Sequence, residues 1–275
     1  MSRHKCNIGW GFLPLVFAAT AILTFLACYL IAVSLDHVIP FVPYISDTGA
    51  YPPESCLFSQ FLNVAAALGI LAIYIRWKSL KKLSVENVKR FSCLNTSSFV
   101  IGVLAAIGLS IVGNFQWTSQ FEIHIIGAGM AFGLGLVYCW MQSHLTYKLH
   151  PRYNSLWIAR LRVILALMVT LSLISMLAGS VAMNFVGEED ENDSASGIGD
   201  NEYAIDPEIS WAYLMTTISE WALAVFLLAW FGTFCVEYTD VWLKTKIGKH
   251  SEKPLEEDEN VNVIVDDGKS KDTKF

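Results

Sequence analysis

All 19 lysines and arginines of this 275-residue chain lie in alternate segments between six long apolar stretches, 10–34, 57–75, 96–113, 123–146, 163–186 and 210–236. A helix needs about 20 predominantly apolar residues to cross a hydrocarbon core of about 30 Å, so each stretch reads as a membrane span. The bases fall at Arg3 and Lys5, at 76–90, at 148–162 and beyond 243; the three intervening segments hold none. Basic residues concentrate on the cytosolic side of a membrane, so both termini are expected in the cytosol. A five-span or seven-span reading breaks this sorting. The expected fold is all-α, a six-helix integral membrane bundle over 1–240 followed by a cytosolic tail, 241–275, without regular structure.

Composition agrees. Only 16% of the residues are charged and 54% are hydrophobic, where a soluble domain carries roughly 25% charged residues. The first stretch, 25 residues without a charge, exceeds the ~7–15-residue core of a signal peptide, so it is read as a retained span. The six cysteines are scattered singly, which disfavours a disulfide framework or a structural zinc site.

The translocated segments differ in character. Segment 35–55 contains Pro40, Pro43, Pro52, Pro53 and Gly49, which forbid a long helix. Its Phe41, Val42, Tyr44 and Ile45 suggest a compact cap packed on the bundle. Segment 114–122 is a short connection. Segment 187–209 carries nine acids and no base, the pattern of a solvated, disordered loop. It also holds Asn192-Asp193-Ser194, expected to be the usable glycosylation acceptor, whereas Asn95-Thr96-Ser97 falls on the cytosolic side.

On the cytosolic side, 76–90 interleaves Arg76, Lys78, Lys81, Lys82, Lys89 and Arg90 with Trp77, Leu80, Leu83 and Val88. Two readings stay open: ordinary basic flanks, or an interfacial element contacting anionic lipid such as phosphoinositides.

Polar groups inside spans are costly and mark candidate sites. Glu220 lies ten residues into the sixth span, about 15 Å deep at ~1.5 Å per residue. It is either a polar clamp between helices or a proton-sensing or ion-path group. His124 is its candidate partner, and Asn63, Ser110 and Asn114 are further hydrogen-bonding candidates. Gly129 and Gly133 have the spacing that lets helices approach closely, within the bundle or against a second copy. The dispersed histidines and the lack of GxSxG, Walker or HExxH patterns argue against an enzyme, a metal site and a cofactor. Nothing in the pattern points to nucleic acid. The partners expected are the bilayer and an unidentified protein.

The string Pro43-Tyr44-Ile45-Ser46-Asp47-Thr48-Gly49, followed by Pro52-Pro53-Glu54-Ser55-Cys56-Leu57-Phe58, resembles the signature of the damage-regulated autophagy modulator family. That family belongs to a wider group with the transmembrane protein one-fifty, Sfk-type and Frag-type proteins. Gly113-Asn114-Phe115-Gln116, His124-x-x-Gly127 and Glu220-Trp221 match as well. Asp47-Thr48-Gly49 is similar to the autophagy-modulator branch, whereas Lys5-Cys6, Phe12-Leu13-Pro14-Leu15 and Cys56 to Gln60 lean toward the one-fifty branch. The first branch implies lysosomal or endosomal membranes, promotion of autophagy and links to cell death. The second implies plasma-membrane or endosomal residence, with effects on phosphoinositide-kinase recruitment, autophagy or mechanosensitive currents. The expected function is therefore a non-enzymatic membrane regulator of autophagy, with a phosphoinositide-kinase adaptor or a channel-related protein as alternatives.

Overall fold

In hydrocarbon an apolar segment can satisfy its backbone N–H and C=O groups only internally, so stretches this long and apolar become helices. The computed structural model describes residues 9–82, 91–151, 155–193, 211–238, 241–244 and 262–265. Its principal helices are α1 (Phe12–Ser34), α2 (Glu54–Lys82), α3 (Ser92–Asn114), α4 (Phe121–Lys148), α5 (Leu156–Asp193) and α6 (Trp211–Gly232). A short α7 (Cys235–Tyr238) follows α6 after a turn. Six helices are long and apolar enough to span a bilayer, which makes the chain a multi-pass membrane protein. Within α4, Gly129–Leu134 forms a π-helical turn.

Two helices outrun the apolar stretches that announce them. α2 starts at Glu54, whose carboxylate favours a helix N-terminus, and it runs to Lys82. The expected interfacial element is therefore, as far as Lys82, the last turns of α2; Lys89 and Arg90 lie outside the described residues. α5 continues to Asp193, so the first part of the acidic segment, including Asn192, is helical rather than loop. The rest of that segment lies outside the described residues. Within 241–275, the described residues form two strands, β1 (Val241–Lys244) and β2 (Asn262–Val265), paired antiparallel with Val241 opposite Val265. The fold is otherwise helical.

Each helix packs on its neighbours in sequence, and α6 also meets α1, closing the bundle. Its lipid-facing surface is apolar: Leu23, Leu30, Trp157 and Leu171 are 61–68% exposed. In water this would be an association surface, but in hydrocarbon it is the solvated face. α3 and α4 cross where a Cβ on Gly108 would lie 2.5 Å from Met130 Cβ and one on Gly127 would lie 2.6 Å from Ile111 Cγ2. The predicted pair Gly129 and Gly133 makes no such approach, with nothing within 4 Å of either Cβ position.

One end of the bundle carries the loop 35–53 and is called the cap end. The other, where α2 ends and α5 begins, is the basic end.

Candidate functional site

At the cap end the proline-rich loop folds back onto the bundle. It makes a short 3-10 turn at Asp47–Gly49, with Thr48 Oγ1 donating to Ile45 O at 2.7 Å. Val42, a β-branched residue, is held at φ 45°, a left-handed conformation costing roughly 1–3 kcal/mol that persists only where the surroundings impose it. Ile45 is buried, and its backbone N–H donates to Glu220 Oε2 at 2.8 Å. The next residue on α6 grips the same loop: Trp221 Nε1 donates to Pro43 O at 2.8 Å. Tyr44 meets the Tyr213 ring edge-on at 5.5 Å and directs its hydroxyl to Met183 Sδ of α5. Gly49 lies against Phe58 of α2, where an added Cβ would fall 2.4 Å from the ring. Glycine is required here by proximity alone.

A second contact holds the loop's flanks. His37 Nδ1 lies 2.6 Å from Oε1 of Glu54, a fully buried carboxyl. The Cys28 thiol of α1 donates to the Glu54 carbonyl at 3.5 Å. The motif residues Pro43, Tyr44, Ser46, Asp47, Gly49, Pro53 and Glu54 thus belong to one docked cap, with Cys56 exposed at its edge. Burial pushes the Asp47 carboxyl up to about 6, offset in part by hydrogen bonding to the Tyr44 backbone and the Trp117 side chain.

His124 does not partner Glu220. Its Nδ1 donates to Phe115 O at 2.7 Å, closing the α3–α4 connection on itself. This is a local contact nine residues apart, whereas Glu220 reaches the cap. Asn63, Ser110 and Asn114 do come together, away from Glu220. Asn63 and Asn114 exchange amide hydrogen bonds of 3.0 Å, and Ser110 Oγ donates to Asn63 Oδ1 at 2.5 Å. They join α2 to α3.

The basic end holds a centre that residue-by-residue reading misses. Arg76 of α2 and Arg162 of α5 both bind Glu237 of α7, Arg162 Nη1 at 2.9 Å from Oε1 and Arg76 Nη1 on Oε2. Arg76 also donates from Nε to Gln142 Oε1 at 3.1 Å, and Arg162 from Nε to Thr233 Oγ1 at 2.9 Å. Gln142 passes the chain on to Ser98 of α3 at 2.8 Å. The Arg162 guanidinium lies 4.1 Å from the centre of the Phe234 ring.

This overturns the lipid-contact expectation for Arg76, which is 4% exposed and paired inside the protein. Lys78 and Lys81 remain at the periphery, their ammonium groups 5.3 and 4.9 Å from the centre of the Trp77 ring. Nothing is described for the Lys82 side chain. The signal that could have found the triad is positional: Arg76, Arg162 and Glu237 each directly adjoin an apolar stretch on the same side.

With this geometry in place, the relatives gain structural meaning. Residues 9–241 match the Frag1/DRAM/Sfk1/Cwh43P N-terminal domain, a span that includes the cap, Glu220 and all three triad residues. The chain is 33% identical to DNA damage-regulated autophagy modulator protein 2 of Rattus norvegicus, over 88% of each chain. It is 34% identical to the Homo sapiens protein of the same name, over 88% of this chain and 89% of the relative. It is also 34% identical to the modulator of macroautophagy TMEM150B of Danio rerio, over 94% of this chain and 98% of the relative. No solved structure matches the chain. A six-span bundle whose motif loop is one docked cap, matched over nearly its whole membrane domain, is a member of the Frag1/DRAM/Sfk1/Cwh43 family.

Proposed function

We propose that this protein is a non-enzymatic, multi-pass regulator of autophagy in endolysosomal membranes, with the plasma membrane as second residence. Its termini face the cytosol and its cap faces the lumen or exterior. The observation that carries this reading is the alignment with proteins named autophagy modulators over 88% of the chain or more. The cap is its interaction face: a loop held in one shape by Glu220 and Trp221 presents a fixed surface, as a recognition element needs. Glu220 serves as the cap's anchor rather than as the lining of an ion path, because its carboxylate is engaged by a backbone N–H.

The test is to delete the protein in cells, measure autophagic flux, and image a tagged copy against lysosomal and surface markers. The reading expects altered flux, restored by the tagged copy at an endolysosomal or surface location. Unaltered flux on complete removal, with the tagged copy correctly placed, contradicts it.

A further inference from the structure

The cap does not stand clear of the helices; its first limb turns back along them. Asp36 and Val42 hold φ angles of 56° and 45°, so a left-handed residue bends the chain at each end of 37–41. Beyond the first bend, the Tyr29 hydroxyl of α1 donates to Pro40 O at 3.3 Å. Beyond the second, Trp221 and Glu220 of α6 hold Pro43 and Ile45. Tyr29 lies five residues before the end of α1, and Trp221 ten residues beyond the start of α6. At ~1.5 Å per residue the tip of the loop therefore reaches about 8–15 Å back from the helix ends.

Past these contact points both helices go on presenting apolar side chains outward. Leu30 and Leu35 are exposed on α1 and its C-cap, and Trp211 and Ile218 on α6. The surface suited to hydrocarbon thus extends beyond the tip of the loop. Tyr51 and Trp117 are also exposed at this end, and with Trp211 they form the kind of aromatic girdle that marks a membrane interface.

Non-helical backbone persists inside a leaflet only where the protein satisfies its polar groups. The tip is built that way. Pro40 and Pro43 have no N–H to satisfy, and their carbonyls accept from Tyr29 and Trp221. Ile45 gives its N–H to Glu220, and its carbonyl accepts from Thr48. The Tyr44 carbonyl accepts from the Asp47 N–H at 3.2 Å. The outward side of the same limb is apolar: Leu35, Ile39 and Phe41 are 42–53% exposed. This patch continues the lipid-facing stripe of α1 that includes Leu23 and Leu30, and segment 35–53 contains no lysine or arginine. Such a patch marks a protein or membrane contact, and its continuity with a lipid-facing helix selects the membrane.

We propose that the first limb of the cap is inserted in the leaflet at the cap end, with Ile39 and Phe41 against the acyl chains of neutral lipid. The inference rests on the reading of the cap as the interaction face and names what part of that face meets. The family's prolines then have a physical role, because they remove backbone donors where no water is available to accept from them.

The test uses the full-length protein, one copy per phosphatidylcholine nanodisc, with phosphatidylcholine bearing a diazirine in its acyl chain. After illumination, label is expected on Ile39 and Phe41 as well as on Leu30, unchanged at high salt because no charge carries the contact. Phe41→Asp should lose the label at Ile39 while Leu30 keeps it, and Phe41→Leu should retain both. Label on Leu30 but absent from Ile39 and Phe41 in the wild type overturns the proposal. So does label on Ile39 that survives Phe41→Asp, or label that appears only when anionic lipid is added. Label that disappears when each disc holds two copies assigns the face to a second copy and overturns it as well. The readout is independent of autophagic flux, so a failed lipid contact leaves the regulator reading standing, and unaltered flux on deletion leaves the contact standing.

Discussion

The backbone N–H of Ile45 and the carboxyl group of Glu220, 175 residues apart in sequence, meet at 2.8 Å inside the cap end of the bundle. This one contact ties the family's motif loop to its most deeply placed acid. Neighbouring contacts repeat the link, with Trp221 on Pro43 and Tyr213 against Tyr44. The cap is thus part of the folded bundle, and its shape depends on side chains from α6.

Gly49→Ala should loosen the cap. The new methyl would fall 2.4 Å from Cγ of Phe58, and relieving such overpacking typically costs about 1–3 kcal/mol. Thermal unfolding in detergent should show a lowered midpoint. Adding Phe58→Leu should recover part of the loss, as expected for residues in direct contact. Equal midpoints for wild type and Gly49→Ala would show that the cap is not docked there.

Cap docking should strengthen on acidification. Asp47 is raised from 3.8 to about 6 by burial, so the docked cap binds its proton more tightly than the undocked loop does. The carboxyl therefore penalises docking at neutral pH, and the penalty fades as pH falls through about 6 toward 3.8. Hydrogen exchange at the Ile45 amide, corrected for intrinsic rates, should be slower at ~pH 5 than at ~pH 8. Asp47→Asn should flatten that difference. Exchange that speeds up on acidification would reverse the assigned sign.

The triad should behave as a structural unit. Removing Glu237 leaves two buried guanidinium groups without the carboxylate they share, a change of about 3–5 kcal/mol for buried pairs. Glu237→Ala should therefore lower both the unfolding midpoint and the abundance at the membrane. Lys81→Ala, at the exposed periphery, should stay within about 0.5 kcal/mol of wild type. If Arg76→Ala weakens binding to anionic vesicles while stability is untouched, the buried assignment of Arg76 fails.

Glycosylation tests the sidedness. Asn192 is the expected acceptor, and Asn192→Gln should abolish the mobility shift produced by endoglycosidase. Asn95 is 4% exposed and donates from Nδ2 to Trp77 O at 3.1 Å, so the fold leaves it unavailable. Sugar at Asn95 would contradict both the fold at that position and the cytosolic placement of the termini.

Much of this architecture is legible from residue types, because hydrocarbon tolerates so few alternatives. The six spans follow from length and apolarity, and Glu220 stands out as the one charged residue within them. What it binds does not stand out: the partner is a main-chain N–H, which every residue but proline possesses. His124 has the chemistry of a partner, but the Phe115 carbonyl in its own connection claims it. The triad stayed hidden because Arg76 and Arg162 look like ordinary flanking bases until Glu237 is brought between them. Gly129 and Gly133 misled for a geometric reason. Their spacing of four marks a shared face only in a regular α-helix, and they lie in the π turn, where that register shifts.

The most direct test of the central claim, that Glu220 works by anchoring the cap, is autophagic flux measured at matched membrane abundance for Glu220→Gln and Glu220→Leu. Gln retains an acceptor for the Ile45 N–H, so the account predicts normal abundance and normal flux. Leu leaves that buried N–H unsatisfied, at a cost of about 1–3 kcal/mol, and should reduce abundance and flux together. A Glu220→Gln protein that reaches its membrane in normal amounts but no longer supports flux would contradict the account and assign Glu220 a role that depends on its charge.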